Sequence, residues 1–252
     1  MSGPVSAPGA LPVLDLPAAW TPGVRAFVTT RAGGVSAAPF DTLNLGDHVG
    51  DDPANVAENR RRVAAAARVA PLALITMAQC HGREVAWAAP GAPAQADALI
   101  CERDDLALAV LVADCLPIVL CDPESPRFAV VHAGWRGLDA GVLEATLAHF
   151  AAPPRVVAAI GPGISPARYV VGPEVAARFA DVPGALTPDE GDRSRLDLVA
   201  VAVAQLGQLG LDPARVHRLD AVTDDGALFF SHRAGAPTGR IALVARRDGA
   251  AS

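Results

Sequence analysis

The sequence predicts an α/β (α+β) fold: a single-domain layered sandwich with a mixed central sheet flanked by helices. Three observations lead there. Short apolar runs separated by turn-forming residues alternate with segments of helical spacing, the pattern of a buried sheet covered by helices. One run, Ala107–Val112, is continuously apolar, as expected of a strand buried on both faces. Of 252 residues 51% are hydrophobic but only 4% aromatic, so there is material for a real core, built mainly of Ala, Val and Leu.

The elements follow in order. Residues 1–22 are rich in Pro and Ala and read as an irregular N-terminal segment, leaving 23–248 as the folded domain. Val24–Thr30 is a strand broken by the Gly33-Gly34 turn. Asp52-Pro53 opens a helix, with Asp52 as N-cap and Pro53 in the first turn, running to about Val69. Glu84–Ala88, Ala98–Cys101, Leu106–Val112, Pro117–Cys121 and Arg127–His132 read as strands. Gly137–Phe150 has helical spacing through Leu138, Val142, Ala145 and Leu147. Val156–Ile160 is a strand, Asp181–Arg193 a surface loop and Leu196–Leu209 a helix. Val216–Leu219, Ala227–Phe230 and Arg240–Ala245 read as closing strands.

Composition excludes several functions. A net charge of -6 argues against a nucleic-acid binder, which needs a basic face. All 21 basic residues are Arg, so neither a Schiff-base lysine nor a P-loop lysine is available. Phosphate or carboxylate must then be held by Arg or by backbone N–H groups. The apolar runs are all broken short of the roughly 20 residues a membrane span needs, and no membrane partner is expected. Met1–Pro12 has neither the basic nor the apolar region of a signal peptide. Four cysteines, Cys80, Cys101, Cys115 and Cys121, are too few for a disulfide scaffold, so reduced thiols and a cytoplasmic location are expected.

Three segments put Cys or His beside small residues at the ends of apolar runs: Gln79-Cys80-His81-Gly82, Ala113-Asp114-Cys115-Leu116-Pro117 and Val131-His132-Ala133-Gly134-Trp135-Arg136-Gly137. Strand ends are where a rigid sheet aims a side chain and a loop leaves room for substrate. His81, Cys115 and His132 make a three-ligand set for zinc with one position open. The same atoms also allow a Cys–His pair, Cys115 as nucleophile and His132 as its base. A lone Cys or His at a strand end is, however, most often an ordinary buried residue, and the dispersed spacing carries no CxxC-type signature.

An ordered series of motifs resolves this. Thr29-Thr30-Arg31-Ala32-Gly33-Gly34-Val35-Ser36, Leu43-Asn44-Leu45-Gly46, Asp51-Asp52-Pro53-Ala54-Asn55-Val56 and Asn59-Arg60 come first. Gln79-Cys80-His81-Gly82, Ala96-Asp97-Ala98 and Ala113-Asp114-Cys115-Leu116-Pro117 follow. His132-Ala133-Gly134-Trp135-Arg136-Gly137, Ile160-Gly161-Pro162-Gly163-Ile164, Phe229-Phe230-Ser231-His232-Arg233 and Thr238-Gly239-Arg240 complete it. Over roughly residues 25–245 the chain resembles the multicopper polyphenol oxidase-like family (laccase-domain, YfiH/YlmD-type), and the His132–Gly137 segment is very specific.

The resemblance implies a mixed α/β sandwich related to the catalytic domain of cytotoxic necrotizing factor. It implies zinc, with copper as the alternative, on His81, Cys115 and His132. It assigns Arg31 to the active site. The implied activities are phosphorolysis of purine nucleosides (adenosine, inosine, methylthioadenosine), deamination of adenosine, peptidoglycan editing and polyphenol oxidation. The expected partners are therefore a purine nucleoside and phosphate, in a monomer or homodimer. In this reading Cys115 and His132 are catalytic as well as ligands, Arg31 holds phosphate with help from backbone near Gly33 and Gly34, and Asn44 is a candidate for a substrate hydrogen bond. Asp114 serves either as general base or as a structural carboxylate. Arg136 anchors a loop and Trp135 packs. His48 and His232 are not ligands, and His149 and His217 are surface residues.

Two departures stand out. The family usually carries Val where Cys80 stands, which puts a second thiol beside His81. It also often carries Cys-Thr where this chain has Val222-Thr223. Six histidines in the whole chain are too few for a multicopper oxidase.

Overall fold

The structure, a computed structural model, describes residues 11–248. In chain order it contains β1 (Val13–Asp15), β2 (Val24–Thr29), α1 (Pro53–Ala66), β3 (Leu74–Ile75), β4 (Val85–Trp87), β5 (Ala98–Cys101) and β6 (Ala107–Val112). Then come β7 (Leu116–Cys121), β8 (Phe128–Ala133), α2 (Trp135–Ala140), α3 (Val142–Leu147), β9 (Val157–Ile160), β10 (Val170–Val171) and α4 (Pro173–Ala176). The series ends with β11 (Leu186–Pro188), β12 (Ser194–Leu196), α5 (Leu198–Gln208), β13 (Val216–Arg218) and β14 (Ile241–Arg247).

The layered α/β sandwich has two stacked mixed sheets where one central sheet was expected. One has the order β1-β2-β14-β6-β3, the other β13-β9-β7-β8-β5-β4, and a small sheet β10-β12-β11 stands apart. Period-two alternation distributes each strand over two cores. In β6, Leu108, Val110 and Val112 meet Val119, Val130 and Ala159 of the second sheet. Its Ala107, Ala109 and Leu111 turn to the opposite core, shared with Val63 and Ala67 at the α1 side. The outer face of the second sheet (Ile118, Leu120, Val131, Ala158) is covered by Leu138 of α2, Leu143 and Leu147 of α3, and Val201 and Leu206 of α5. Each fully buried aliphatic side chain contributes roughly 1.5–3 kcal/mol relative to exposure, so both faces of the second sheet stabilise the fold.

Helix α1 begins as its sequence dictates. The Asp52 carboxylate accepts from Ala54 N at 2.8 Å and Pro53 occupies the first turn. Buried Asn59, on the same helix, accepts from Val35 N and donates to Ser36 Oγ and Asn44 O, at 2.9 Å each. One amide thus fastens the 35–46 loop to the helix.

Four expectations need correction. Of the segment 1–22 read as irregular, 13–15 form β1, antiparallel to β2 with Leu14 opposite Val28, and Ala18–Trp20 form a 3-10 turn. Residues 1–10 of that segment lie outside the described residues. The helix expected over Gly137–Phe150 is two helices, α2 and α3, because Gly141 takes a left-handed conformation at φ 85°. Ala227–Phe230 is not a strand. Phe229 and Phe230 are buried between the sheets, and the backbone enters no ladder beyond Leu228 O, which accepts from Arg31 N. The loop expected over Asp181–Arg193 also carries the short strand β11.

Candidate metal centre

Three backbone features aim three side chains at one point. His132 sits near the end of β8, and its backbone N–H donates to Asp97 O at 2.7 Å. Cys115 closes the tight turn between β6 and β7. Asp114 in that turn has φ 97°, an unfavourable conformation for a side chain with a Cβ. Its carboxylate holds it there by accepting from Thr223 Oγ1 at 2.8 Å and Arg233 N at 2.7 Å. His81 lies in the loop before β4, also left-handed, at φ 60°. Gln79 secures that loop: its amide donates to Leu111 O and accepts from Leu111 N, at 2.8 and 2.9 Å.

The ligand atoms of His81, Cys115 and His132 lie within 4.8 Å of one another, and the two imidazoles meet edge to face at 4.7 Å between centroids. The buried Asp97 carboxylate organises the group. Its Oδ1 lies 2.8 Å from His132 Nδ1 and 2.9 Å from His81 N, while Oδ2 accepts from Gly82 N at 2.7 Å and the Cys80 thiol at 3.0 Å. With Nδ1 engaged, His132 turns Nε2 toward the centre. A carboxylate behind a histidine ligand is the usual support of a metal site, fixing tautomer and ring orientation.

The Cys115 thiolate suits a metal, and His132 must release its proton to bind one. Burial pushes the Cys115 thiol up, but the imidazoles of His132 and His81 more than offset this and bring it to about 6. Burial pushes His132 down, while Asp97 and Cys115 raise it to about 9. Burial likewise raises Asp97, yet His132, Cys80 and the Gly82 N–H hold it well below the usual carboxylate range. The donor set of two imidazoles and a thiolate fits zinc and accepts copper.

Gly134 shows how tightly the centre is packed. A Cβ there would stand 2.7 Å from Cys115 Sγ, so only glycine lets α2 start this close to the sulfur. Cys80 does not join the ligand group. It is not on a strand, and its thiol is drawn away by its bond to Asp97, which is also the first cause raising it above the ordinary thiol range.

The centre lies in a cleft of about 630 Å³, within the range that encloses a small organic ligand. Its lining includes the apolar or aromatic residues Met77, Leu111, Trp135 and Tyr169, and the arginines Arg60, Arg136, Arg233 and Arg240. Neither Arg31 nor Asn44 lines it. Arg31 donates to Asp41 O, Asp41 Oδ2 and Gly226 O, all at 3.1 Å. Asn44 is fully buried. Its Oδ1 accepts from Gly46 N and Arg240 N while Nδ2 donates to Gly46 O and Asp51 Oδ2. Both are therefore committed to loop structure. Gly34 cannot cradle an anion freely either: its N–H donates to Thr42 Oγ1, and its Cα packs on the Thr42 carbonyl. Arg136, expected to anchor a loop, stacks on Trp135 at 4.4 Å and faces the cleft. His48 and His232 also line the cleft without joining the ligands. His217 stacks on Trp20, and His149 meets Trp87 edge-on.

Reading the sequence gave Asp97, Tyr169, Arg233 and Arg240 no role. Asp97, Arg233 and Arg240 do stand inside the motifs of the ordered series. Tyr169 carries no comparable signal.

A family profile described as multi-copper polyphenol oxidoreductase laccase matches residues 25–248. The chain belongs to this family. A Pseudomonas aeruginosa protein named purine nucleoside phosphorylase is 42% identical over 228 residues, covering 88% of this chain and 92% of the relative. The purine nucleoside phosphorylase YfiH of Escherichia coli is 39% identical over 227 residues, covering 87% and 92%. Among solved structures, a Neisseria meningitidis protein of the DUF152 family superposes with a TM-score of 0.87 at 34% identity, covering 94% of this chain and 99% of that one. YlmD from Geobacillus stearothermophilus gives a TM-score of 0.87 at 30% identity, covering 91% and 94%. These likenesses support an enzyme acting on a small molecule. Among the described residues no helix is long and apolar enough to cross a membrane.

Proposed function

We propose that this chain is a metal-dependent purine nucleoside phosphorylase that cleaves adenosine, inosine and methylthioadenosine with phosphate and also deaminates adenosine. The observation that carries the reading is the convergence of His81, Cys115 and His132 at a cleft with apolar walls and several guanidinium groups, in a chain about 40% identical to proteins bearing that name.

In phosphorolysis a phosphate oxygen attacks the anomeric C1′ of the ribose. The C1′–N9 bond breaks, its electron pair goes to the purine, and the base leaves with a proton from solvent or protein. Ribose 1-phosphate and free base result. Zinc on the three ligands, with copper as the alternative, would supply Lewis acidity. The chain's own task is placement: Met77, Leu111 and Trp135 offer apolar surface to the purine, and the arginines offer donors to phosphate. Arg31, which the resemblance assigns to the active site, contributes in this reading by holding the 226–228 loop that leads to Arg233. The four cysteines are unpaired, which fits action in a reducing cytoplasm. Polyphenol oxidation by several coppers fits less well, because the described residues offer one His/Cys group.

The test is hypoxanthine release from inosine by zinc-loaded protein, with and without phosphate, beside Cys115→Ala. Phosphate-dependent release lost in the variant is the expected result. No release by protein holding stoichiometric zinc overturns the proposal.

A second reading has its own observation. Asp97, His132 and Cys115 lie in the order of a carboxylate–imidazole–thiol relay, with the thiol brought to about 6. That arrangement fits a cysteine amidase acting on a peptidoglycan precursor. Phosphate-independent amide cleavage by chelator-treated protein would favour it.

A further inference from the structure

The structure points to a phosphate subsite made by Arg136, Arg233 and Arg240, and we propose that these guanidinium groups, not Arg31, hold the orthophosphate co-substrate. The inference rests on the phosphorylase reading and names the residues and the ligand chemistry that it leaves open.

Among the described residues none of the three forms a salt bridge, whereas Arg31 is paired with Asp41 and Arg60 with Asp47. This is unusual company for a chain with 27 acidic residues against 21 basic ones. Each of the three is held by groups that leave in-plane N–H donors free. Arg136 lies over the Trp135 ring at 4.4 Å and Arg233 over Tyr169 at 5.1 Å. A guanidinium stacked by its face keeps the edge that binds an oxyanion. Arg233 spends Nη1 on Val170 O. Arg240 spends Nη1 on Thr238 O and Gly239 O, leaving Nε and Nη2 with no acceptor among the described residues.

Arg240 is the most telling of the three. Burial is the first cause lowering it from the ordinary arginine range, opposed only by Cys115 and Asp114. A half-buried cation without a carboxylate of its own is costly unless a ligand supplies the charge. Of the two acids lining the cleft, Asp47 is paired with Arg60, and Asp114 has both oxygens occupied by Thr223 Oγ1 and Arg233 N. Tyr169, Arg136, Arg233 and Arg240 line the same cleft as Cys115 and His132, so this wall adjoins the His/Cys centre. A phosphate bound there would lie beside that centre, where a nucleophile for C1′ is needed. The cleft, at about 630 Å³, has room for an anion and a nucleoside together.

A phosphoryl anion could arrive free or as the 5′-phosphate of a nucleotide, and the experiment separates the two. Phosphate binding to the zinc-loaded protein is measured directly by calorimetry, and the KM values for phosphate and inosine are measured beside it. This is done for wild type, Arg240→Met, Arg136→Met and Arg233→Met, with inosine 5′-monophosphate as an alternative substrate. The last two side chains are exposed, so those variants keep the test alive should Arg240→Met fail to fold.

The expected result is a phosphate Kd and KM raised about tenfold or more per substitution, the worth of one charge-assisted hydrogen bond, with the inosine KM changed less than about threefold. Phosphate binding and KM unchanged in folded variants of an active enzyme would overturn the subsite while leaving the phosphorylase reading intact. Cleavage of inosine 5′-monophosphate without added phosphate, impaired by the same substitutions, would overturn the assignment to free orthophosphate. A wild-type protein that neither binds phosphate nor depends on it would overturn subsite and phosphorylase reading together.

Discussion

Asp97 Oδ1 stands 2.8 Å from His132 Nδ1, with both side chains buried, and the same carboxylate gathers the backbone N–H groups of His81 and Gly82. One acid thereby fixes the ring of one ligand and the chain direction of another, 35 and 16 residues away in sequence.

Replacing Asp97 by Asn keeps the shape but removes the charge that orients His132. Zinc affinity should fall about 10–100-fold, as for other supporting carboxylates, measured by competition with a chromogenic chelator. The metal-free variant should also lose stability in urea denaturation, by about 3–5 kcal/mol if the buried imidazole is left charged and unpaired. An unchanged zinc affinity would remove Asp97 from the centre.

Cys115 should be the reactive thiol of the chelator-treated protein. Because its pKa is lowered to about 6, the thiolate is populated above that pH and lost below it. Iodoacetamide modification followed by mass spectrometry should therefore titrate near pH 6, be nearly complete at pH 7, and be blocked by zinc. Cys121, buried and pushed up to about 12, should stay unmodified at neutral pH. Equal labelling of the two would mean that the imidazoles do not stabilise the Cys115 thiolate.

Gly134→Ala should injure the centre before it injures the fold. The added methyl would meet Cys115 Sγ at 2.7 Å, while the backbone at φ -82° tolerates a side chain. The protein should melt cooperatively yet retain substoichiometric zinc after dialysis, and activity should fall in proportion. Full occupancy and wild-type turnover would show that the sulfur has room to move.

Asp52→Ala separates stability from function. Loss of the cap on Ala54 N should cost about 1 kcal/mol, read from chemical denaturation, with kcat and both KM values unchanged, since Asp52 does not line the cleft. A selective rise in either KM would imply that the N-terminus of α1 shapes the site.

Much of the architecture was legible because its causes are local. The cap at Asp52 and the proline after it start α1 where expected. The unbroken apolar run of β6 is buried on both faces, and Ala98–Cys101 is a strand with the expected ends. Errors arose where long-range packing overrode a local pattern. The Phe229-Phe230 pair satisfies its hydrophobicity by side-chain burial without strand pairing. Residues 13–15, Val-Leu-Asp between Pro12 and Pro17, become a strand because β2 offers a free edge. Gly141 interrupts a helical pattern that periodicity alone carries through it.

The sequence by itself determined the start of α1, most strands of the two large sheets, the absence of lysine chemistry, and the identity of the three side chains now found together. Tertiary structure alone decided that the strands form two sheets, that Asp97 supports both histidines, and that Arg31 and Asn44 are tied into loops while Arg136, Arg233 and Arg240 face the cleft. The division has a physical origin. Capping and two- or 3.6-residue periodicity act within a few residues. The partner of a buried polar group is set by which distant strands and loops the packed core brings alongside it.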